Sequence, residues 1–256
     1  MKKVTAFVGS ARRKHTYHAV EQFLRNLQSM GDVEYEIVRL IDYQLQPCRG
    51  CKVCFDKGEE SCPLKDDRDL LVEKMMASDG VVFASPNYSF HVSAIMKTFL
   101  DRLAFAFHRP RFFGKTFTSI IAQGIYGGNK IVKYLDFVGK GLGFNTVKGT
   151  CIMTLDPMTE KQQAKIDMAL AAQATRYFAE LEKPGYPVPT LVDLAFFRMA
   201  RTKMRLMLDD GFRDYTYYRD KGWFESDFYY PTRLGPLKKG AGKLFDLTSE
   251  SMTRAR

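Results

Sequence analysis

Four of the five cysteines lie within fifteen residues and form the densest group of reactive side chains in the sequence. Their spacing is C-x2-C-x2-C-x7-C, formed by Cys48, Cys51, Cys54 and Cys62. Four thiolates in one compact loop suit a [4Fe–4S] cluster, and a tetrahedral zinc site uses the same ligands. Free or disulfide-forming cysteines are the third alternative. The fifth, Cys151, falls in a predicted strand and is expected to be a core residue.

A second candidate site is the polar loop at residues 9–16, which follows the first predicted strand. Its hydroxyls, guanidinium and backbone N–H groups at the start of a helix suit a phosphate. The loop is neither a Walker loop nor a G-x-G-x-x-G turn, which disfavours adenine nucleotides bound in those ways. The alternative to a phosphate site is an ordinary polar loop in which a hydroxyl caps the following helix. The candidate binding residues are Ser10, Arg12, His15 and Thr16.

Two further loops follow the third and fourth predicted strands. The first combines a proline turn with aromatic rings and polar groups, which suits a flat heteroaromatic ligand; alternatively, its rings cover the edge of the sheet. The second contains glycines that let the backbone approach a ligand closely, or that form a flexible turn. The candidates are Ser85, Pro86, Asn87, Tyr88, Ser89 and Phe90 in the first loop, and Gln123, Gly124, Gly127 and Gly128 in the second.

Strands and helices alternate five times over the first 181 residues. The predicted strands are residues 4–8, 34–40, 80–85, 116–122 and 144–153, and the predicted helices are residues 18–30, 67–77, 92–107, 129–140 and 158–181. Several strands are almost entirely apolar, as expected when both faces of a sheet are covered. The pattern predicts an α/β fold with a doubly wound parallel five-stranded sheet. Ligands of such sheets bind beyond the carboxyl ends of the strands, where all three polar loops are expected.

The composition changes after a connector with three prolines at residues 184–189. Thr190 and Asp193 form a capping-box pattern that predicts a helix to residue 208. Arg198, Arg201 and Arg205 form a stripe on this helix, which is expected to be solvated; an anionic membrane or nucleic acid is the alternative. We therefore predict an α/β domain at 1–182, containing the cysteine loop 47–62, and a helical, aromatic-rich extension at 190–256. The extension is expected to pack on the core or on a neighbouring subunit, because many aromatic rings are unfavourable in water.

The bulk composition is compatible with a globular core, since hydrophobic residues make up 45% and charged residues 27% of the 256 residues. No apolar run reaches the roughly 18 residues that a membrane span needs, so no transmembrane segment is expected. The first nine residues do not form a secretory signal, which favours a cytoplasmic protein. The net charge of +10 favours anionic ligands or surfaces. No compact Lys/Arg block stands out, and no nucleic-acid partner is expected.

Five motifs, taken together, resemble the NADPH-dependent FMN reductase family in its iron–sulfur flavoprotein branch. They are Gly9-Ser10-x-Arg12-x-x-x-Thr16, Pro47-Cys48-x-Gly50-Cys51-x-x-Cys54, Cys62-x-x-x-Asp66-Asp67, Ser85-Pro86-x-Tyr88 and Lys97-x-Phe99-x-Asp101-Arg102. The resemblance covers approximately residues 1–180. One departure is the sequence Arg-Lys-His at residues 13–15, where relatives often carry small polar residues and glycine. This departure adds positive charge to the first loop.

The resemblance implies a flavodoxin-like sheet of order 2-1-3-4-5, with FMN bound through the three loops. Ser10, Arg12 and Thr16 would hold the phosphate of FMN, and residues 86–90 and 123–128 would surround the isoalloxazine. The resemblance also favours a [4Fe–4S] cluster over zinc in the cysteine loop. FMN is expected rather than FAD, because the first loop suits a terminal phosphate and the chain shows no dinucleotide fingerprint.

These expectations describe a redox flavoprotein in which no catalytic side chain is required, because the flavin supplies the chemistry. The expected activity is NAD(P)H-dependent reduction of a flavin, a quinone or a similar acceptor. The alternative is an electron-transfer carrier between redox protein partners, with an iron–sulfur cluster relaying electrons to FMN. The resemblance further implies a homo-oligomer, either a dimer or a tetramer.

Overall fold

The computed structural model describes residues 1–255, which divide into two compact units. The first unit consists of Met1–Arg49 and Leu64–Pro184. The second consists of Gly50–Pro63 together with the chain from Gly185 onward, so part of the cysteine loop groups with the C-terminal region. The predicted packing of residues 190–256 on the core or on a neighbouring subunit stays a prediction.

The first unit contains one parallel sheet. Its strands are β1 (Lys2–Val8), β2 (Val33–Arg39), β3 (Gly80–Pro86), β4 (Thr116–Gln123), β5 (Asn145–Thr146) and β6 (Thr150–Met153). The order is β2-β1-β3-β4-β5, and β6 also pairs with β4. All of these pairings are parallel. The predicted doubly wound sheet of order 2-1-3-4-5 is therefore confirmed.

Helices follow the strands in alternation and continue into the second unit. They are α1 (His15–Gln28), α2 (Val53–Asp56), α3 (Arg68–Met76), α4 (Ala94–Arg102), α5 (Ala104–His108), α6 (Gly128–Leu142), α7 (Glu160–Leu181), α8 (Leu191–Met207), α9 (Arg213–Asp220) and α10 (Pro236–Arg254). The predicted helix at residues 92–107 is interrupted at Leu103, between α4 and α5. Within residues 1–255, no helix is both long and apolar enough to cross a bilayer.

Both faces of the sheet are buried under apolar side chains. On one face, Val4 and Val82 belong to a cluster with Phe23 and Leu24 of α1 and Tyr177 of α7. On the other face, aromatic rings pack together: Phe7 with Phe99, Phe7 with Phe83, and Phe83 with Phe117. This two-sided burial explains why the strands are nearly continuous apolar runs.

The predicted fifth strand at residues 144–153 is divided by a bulge. β5 pairs Asn145 with Thr116, an offset of 29 residues, whereas β6 pairs Thr150 with Ile120, an offset of 30. One extra residue on one strand is the definition of a bulge, and it bends the strand locally. Gly149 fits here because a Cβ at this position would clash with the Ser119 Oγ.

The second unit has an interior of aromatic rings and ion pairs. Trp223 is buried, contacts the rings of Tyr218 and Tyr229, and donates from Nε1 to the Tyr229 carbonyl at 2.9 Å. The predicted capping box of Thr190 and Asp193 at the start of α8 is confirmed. α9 and α10 were not predicted.

The expectation that the arginine stripe of α8 is solvated is wrong for Arg198 and Arg201, whereas Arg205 is exposed. Arg198 and Arg201 are each only 6% exposed. Their guanidinium groups donate to the same Asp246 Oδ2 on α10, from Arg198 Nη1 at 2.9 Å and from Arg201 Nη2 at 2.7 Å. The reason is non-local, because the carboxylate partner lies more than forty residues further along the chain.

Candidate functional site

The first loop leaves β1 and enters α1 with its polar groups near the helix start. Ser10 and Thr16 are buried, and the Ser10 hydroxyl donates to the Arg12 carbonyl at 3.0 Å. The Arg12 side chain is exposed. Among residues 1–255, no side chain caps α1, so its first-turn N–H groups remain available to an anion. His15 contacts Asp156 instead, with 3.1 Å between Nε2 and Oδ2.

The loop after β3 presents exposed rings on a constrained backbone. Ser89 and Phe90 have φ angles of 49° and 64°, a left-handed conformation that costs energy in non-glycine residues and concentrates at functional sites. A short bridge between Tyr88 and His91 closes the turn, with both N–H···O distances at 3.0 Å. Tyr88 and Phe90 are exposed as a result.

The loop after β4 meets the loop after β3. Asn87 donates from Nδ2 to the Tyr126 carbonyl at 2.9 Å, and the rings of Phe90 and Tyr126 lie 5.2 Å apart. Gly127 has φ +95°, and a Cβ there would lie 2.9 Å from Phe90 Cδ1. Gly128 donates its N–H to Gln123 Oε1 at 2.7 Å. This close approach requires a glycine at position 127, whereas a Cβ at Gly124 would make only an ordinary contact, 3.7 Å from Leu155 Cδ2.

A pocket of about 420 Å³ opens beside these two loops. It is lined by Phe90, Tyr126, Gly127, Asn129 and Lys130. Asn129 and Lys130 lie in the first turn of α6 and were not among the predicted site residues. The pocket combines aromatic surface with a cation, a pairing that suits a flat ligand carrying negative charge.

Ser93, which was also not predicted, joins the first two loops. Its Oγ donates to the Gly9 carbonyl at 2.5 Å, and its backbone N–H donates to Ser85 Oγ at 2.9 Å. The same Oγ accepts from the Met96 N–H and so caps α4. A serine before an apolar helix is a recognisable capping signal, but its contact with Gly9, 84 residues away, is not visible in the sequence.

These features fit FMN. β1, β3 and β4 are adjacent strands, so their following loops meet at one edge of the sheet. Gly9 has no room for a side chain, because a Cβ would lie 2.8 Å from Met96 Cβ. Within residues 1–255, nothing donates a hydrogen bond to the buried Oδ1 of Asn87, which leaves an acceptor for a ligand N–H.

The ends of the cysteine loop are fixed by two aspartates of the first unit. Asp66 Oδ2 accepts from the Gln46 N–H at 2.9 Å, and Asp67 Oδ2 accepts from the Gln44 N–H at 2.7 Å. Asp66 also pairs with Arg102 at 2.9 Å, and both side chains are almost fully buried. Burial raises the pKa of Asp66, but hydrogen bonds from Arg102, Gln46 and Arg68 together hold this pKa below its ordinary value.

The four cysteines of the loop differ in environment. Cys48 and Cys51 are exposed, Cys54 is half-buried and Cys62 is buried. In the described part of the chain, no group of three or more His, Cys, Asp or Glu side chains is placed to hold a metal ion. The observed arrangement of these side chains therefore does not fit a cluster or a zinc ion. Cys151 is half-buried, and burial raises the pKa of its thiol to about 11.

The parallel sheet order and the ligand loops at the carboxyl ends of its strands define a flavodoxin-like protein. The profile of the NADPH-dependent FMN reductase family matches residues 2–155. The chain belongs to this family of oxidoreductases.

Curated relatives are iron–sulfur flavoproteins of archaea and bacteria. One from Archaeoglobus fulgidus is 29% identical over 224 residues, which is 86% of this chain and 99% of that protein. One from Methanocaldococcus jannaschii is 38% identical over 101 residues, which is 39% of this chain and 51% of that protein. These similarities agree with the branch that the motifs indicate.

Solved structures share the fold at low sequence identity. The crystal structure of RosB with bound 8-demethyl-8-formylriboflavin-5'-phosphate has a TM-score of 0.58 at 13% identity and covers 92% of each chain. The NAD(P)H:quinone oxidoreductase from Methanothermobacter marburgensis has a TM-score of 0.56 at 16% identity, covering 72% of this chain and 99% of that one. At these identities the likeness shows the fold alone.

Proposed function

We propose that this protein binds FMN through its three loops and uses NAD(P)H to reduce a flavin, a quinone or a similar acceptor. The observation that carries the proposal is the convergence of the loops after β1, β3 and β4 at one edge of the sheet. The family supports FMN and NADPH as reactants. A similarly folded protein is named as a quinone oxidoreductase, which motivates the quinone class of acceptor.

In the proposed site, each loop has one task. Ser10, Arg12, His15 and Thr16, with the free N–H groups of α1, bind the phosphate, since cations and helix N-termini both attract anions. The Oδ1 of Asn87 accepts a hydrogen bond from the flavin ring system. The other residues of the two ring-binding loops enclose the isoalloxazine: Ser85, Pro86, Tyr88, Ser89, Phe90, Gln123, Gly124, Gly127 and Gly128.

FMN held by these loops would supply the redox chemistry, namely acceptance of a hydride from a nicotinamide and release of electrons one or two at a time. The protein orients the ring and limits access of water. The Phe90–Tyr126 pair, at 5.2 Å, borders the pocket in which an aromatic co-substrate could stack.

Steady-state NADPH oxidation by the purified protein tests the reductase proposal. Turnover is expected with free flavin or a quinone as acceptor, and cofactor released by heat is expected to migrate as FMN in chromatography. Recovery of stoichiometric FAD would contradict the assignment of the first loop to a terminal phosphate. An FMN-loaded protein that does not oxidise NADPH or NADH would contradict the reductase activity and favour an electron carrier.

A second candidate function is electron transfer between redox protein partners through a [4Fe–4S] cluster in the cysteine loop. Its support is the compact spacing of Cys48, Cys51, Cys54 and Cys62 and the name of the curated relatives. Because the side chains are not assembled for a metal, this function requires the loop to rearrange when iron binds. A homo-oligomer, dimer or tetramer, also belongs to the proposal.

Anaerobic purification and reconstitution separate the two candidates. A cubane cluster predicts about four iron and four sulfide per chain, and Cys51→Ser is expected to abolish both, whereas Cys151→Ser leaves them unchanged. Stoichiometric zinc without iron would assign the loop to a structural site. Absence of both metals would remove the cluster and leave the FMN-dependent reductase.

A further inference from the structure

In the second unit, helix α10 buries its polar face and exposes its apolar face. α8 and α10 run in the same direction, because their contacts advance together from Pro189–Lys238 to Arg205–Glu250. α10 turns Asp246 towards the arginines of α8, where it accepts hydrogen bonds from Arg198, Arg201 and Thr202. The buried side of α10 is therefore polar.

Four large apolar side chains of α10 are exposed, whereas Phe245 on the same helix is half-buried. Leu237 is 90% exposed, Leu244 61%, Leu247 63% and Met252 53%. At 100° per residue, the three leucines fall within about 80° of one another and Met252 lies about 60° beyond Leu237, so the four positions form one broad face of about 140°. Gly242 and Ser249, which are buried, lie outside this face. A stripe of this kind is unfavourable in water and indicates a binding surface.

The exposed charges on the same helix are all positive. Lys239, Lys243 and Arg254 are exposed. At 100° per residue, Lys243 and Arg254 lie within about 40° of Leu247, beside the leucine stripe, and Lys239 lies about 80° from Leu247 on the same side of the helix. The two carboxylates of α10 are only partly exposed, and both are paired, Asp246 with arginines and Glu250 with Arg205 at 3.6 Å.

α8 repeats this composition. Its exposed apolar residues include Leu191, Val192 and Met207, and its exposed cations are Lys203 and Arg205. Its single carboxylate, Asp193, is bonded to Thr190 in the capping box. The pair of helices thus offers apolar and cationic surface together, in a chain of net charge +10.

We propose that the exposed face of α10 docks on a lipid bilayer that contains anionic phospholipids. Leucine and methionine side chains enter the boundary between headgroups and acyl chains, while flanking lysines contact lipid phosphates. A second copy of the chain is the less favourable occupant, because a symmetric contact through this face would bring the cations of both copies together. The proposal does not depend on the redox function.

Sedimentation of the full-length protein with vesicles tests the docking. Vesicles of phosphatidylglycerol and phosphatidylcholine are compared with vesicles of phosphatidylcholine alone. The wild type is expected to bind only the anionic vesicles, and added salt should weaken binding. The double variant Leu244→Gln with Leu247→Gln should reduce the partition coefficient by at least about ten-fold. The double variant Lys239→Gln with Lys243→Gln should reduce it about five-fold for each cation.

Matched controls come from the first unit. Leu70→Gln on α3 and Lys161→Gln on α7 replace exposed residues of the same types and should leave vesicle binding unchanged. Circular dichroism verifies that every variant is folded, as expected for substitutions of exposed side chains.

Three outcomes would overturn the proposal. The wild type fails to bind anionic vesicles at low salt; the leucine variant binds as well as the wild type, which would indicate adsorption through charge elsewhere; or binding is equal on both kinds of vesicle. Light scattering measures the oligomeric state of the wild type and of the leucine variant. If the wild type is an oligomer and the leucine variant is a monomer, this face binds a second copy of the chain.

Discussion

The two compact units of this protein bury opposite kinds of helix surface. In the first unit, α1 turns Phe23, Leu24 and Leu27 into the core. In the second unit, α10 turns Asp246 inward and leaves Leu237 and Leu244 exposed. The difference shows that an amphipathic pattern fixes two faces of a helix, whereas the chemistry of the neighbouring element decides which face is buried.

The polar face of α10 is buried in the second unit because α8 places guanidinium groups in the interior there. Arg198 and Arg201 cannot be buried without a carboxylate partner, since an unpaired buried charge costs several kcal/mol. Asp246 satisfies both, with Asp227 as an additional partner of Arg198. The leucines of α10 are then necessarily on the outside.

The largest expected effect contrasts the same substitution in the two helices. Leu24→Ala removes a fully buried side chain of α1 and should lower the free energy of unfolding of the first unit by about 4 kcal/mol. Leu237→Ala on α10 should change stability by less than about 0.5 kcal/mol. Denaturation followed by far-ultraviolet circular dichroism measures both, and equal losses would invalidate the contrast.

The next largest effect is expected from the ion pairs that join α8 and α10, where α1 uses apolar contacts. Asp246→Ala leaves Arg201 buried without this carboxylate and should destabilise the second unit by about 3 kcal/mol. Asp220→Ala breaks the exposed pair with Arg219 and should cost less than about 1 kcal/mol. Trp223, the single tryptophan, is buried in this unit, so its fluorescence reports the transition. A stable Asp246→Ala protein would mean that α10 is held by other contacts.

A smaller effect separates arginines that bind ligand from arginines that hold structure. Arg12→Ala should weaken FMN binding by roughly 1.5–3 kcal/mol, as for a hydrogen bond to a charged group, and leave unfolding unchanged. Arg13→Ala is the control, since its guanidinium lies over the Tyr17 ring. Fluorescence titration with FMN measures the affinities. If both variants bind like the wild type, Arg12 does not belong to the site.

The smallest signal is a pH dependence in the first unit. The folded pKa of Asp66 lies below its ordinary value of 3.8, so its contribution to stability is complete above about pH 4. The contribution is lost as the pH falls through the folded pKa. The difference in stability between the wild type and Asp66→Asn should therefore be constant near neutral pH and shrink in acid. If the stability difference between the wild type and Asp66→Asn grew in acid, the pKa of Asp66 would be raised by folding rather than lowered.

The fold of the first unit was predictable because its signals are local. Apolar runs such as residues 80–85, glycine-containing turns and helical periodicity predicted the alternating strands and helices and the three loops, and the resemblance to the family supplied the strand order. The bulge at Gly149 was not predictable, because it depends on the approach of Ser119 from the neighbouring strand. The burial of the Asp246 face of α10 was not predictable for a related reason, since the partners of Asp246 lie on α8 and their pairing has no sequence signature.

In the candidate site, too, local features were predictable from the sequence and contacts between distant residues were not. Residue types suggested the phosphate loop and the aromatic loop, whereas their connection through Ser93 and the pairing of His15 with Asp156 appear only in three dimensions. The cysteine spacing predicts a metal site, but the structure does not assemble the four side chains. The spacing of cysteines along the chain shows which side chains are close enough to bind a metal, but it does not show whether their sulfur atoms point towards a common centre.

The hydroxyl of Ser93 has a consequence for affinity. By donating to the Gly9 carbonyl, it fixes the phosphate loop relative to the turn that begins at Ser85, which bonds to the same residue. Ordering loops when a ligand arrives normally subtracts from binding free energy. Here the two loops are joined during folding, so the proposed FMN site is preorganised: the distance between its phosphate-binding and ring-binding halves is set before the cofactor enters.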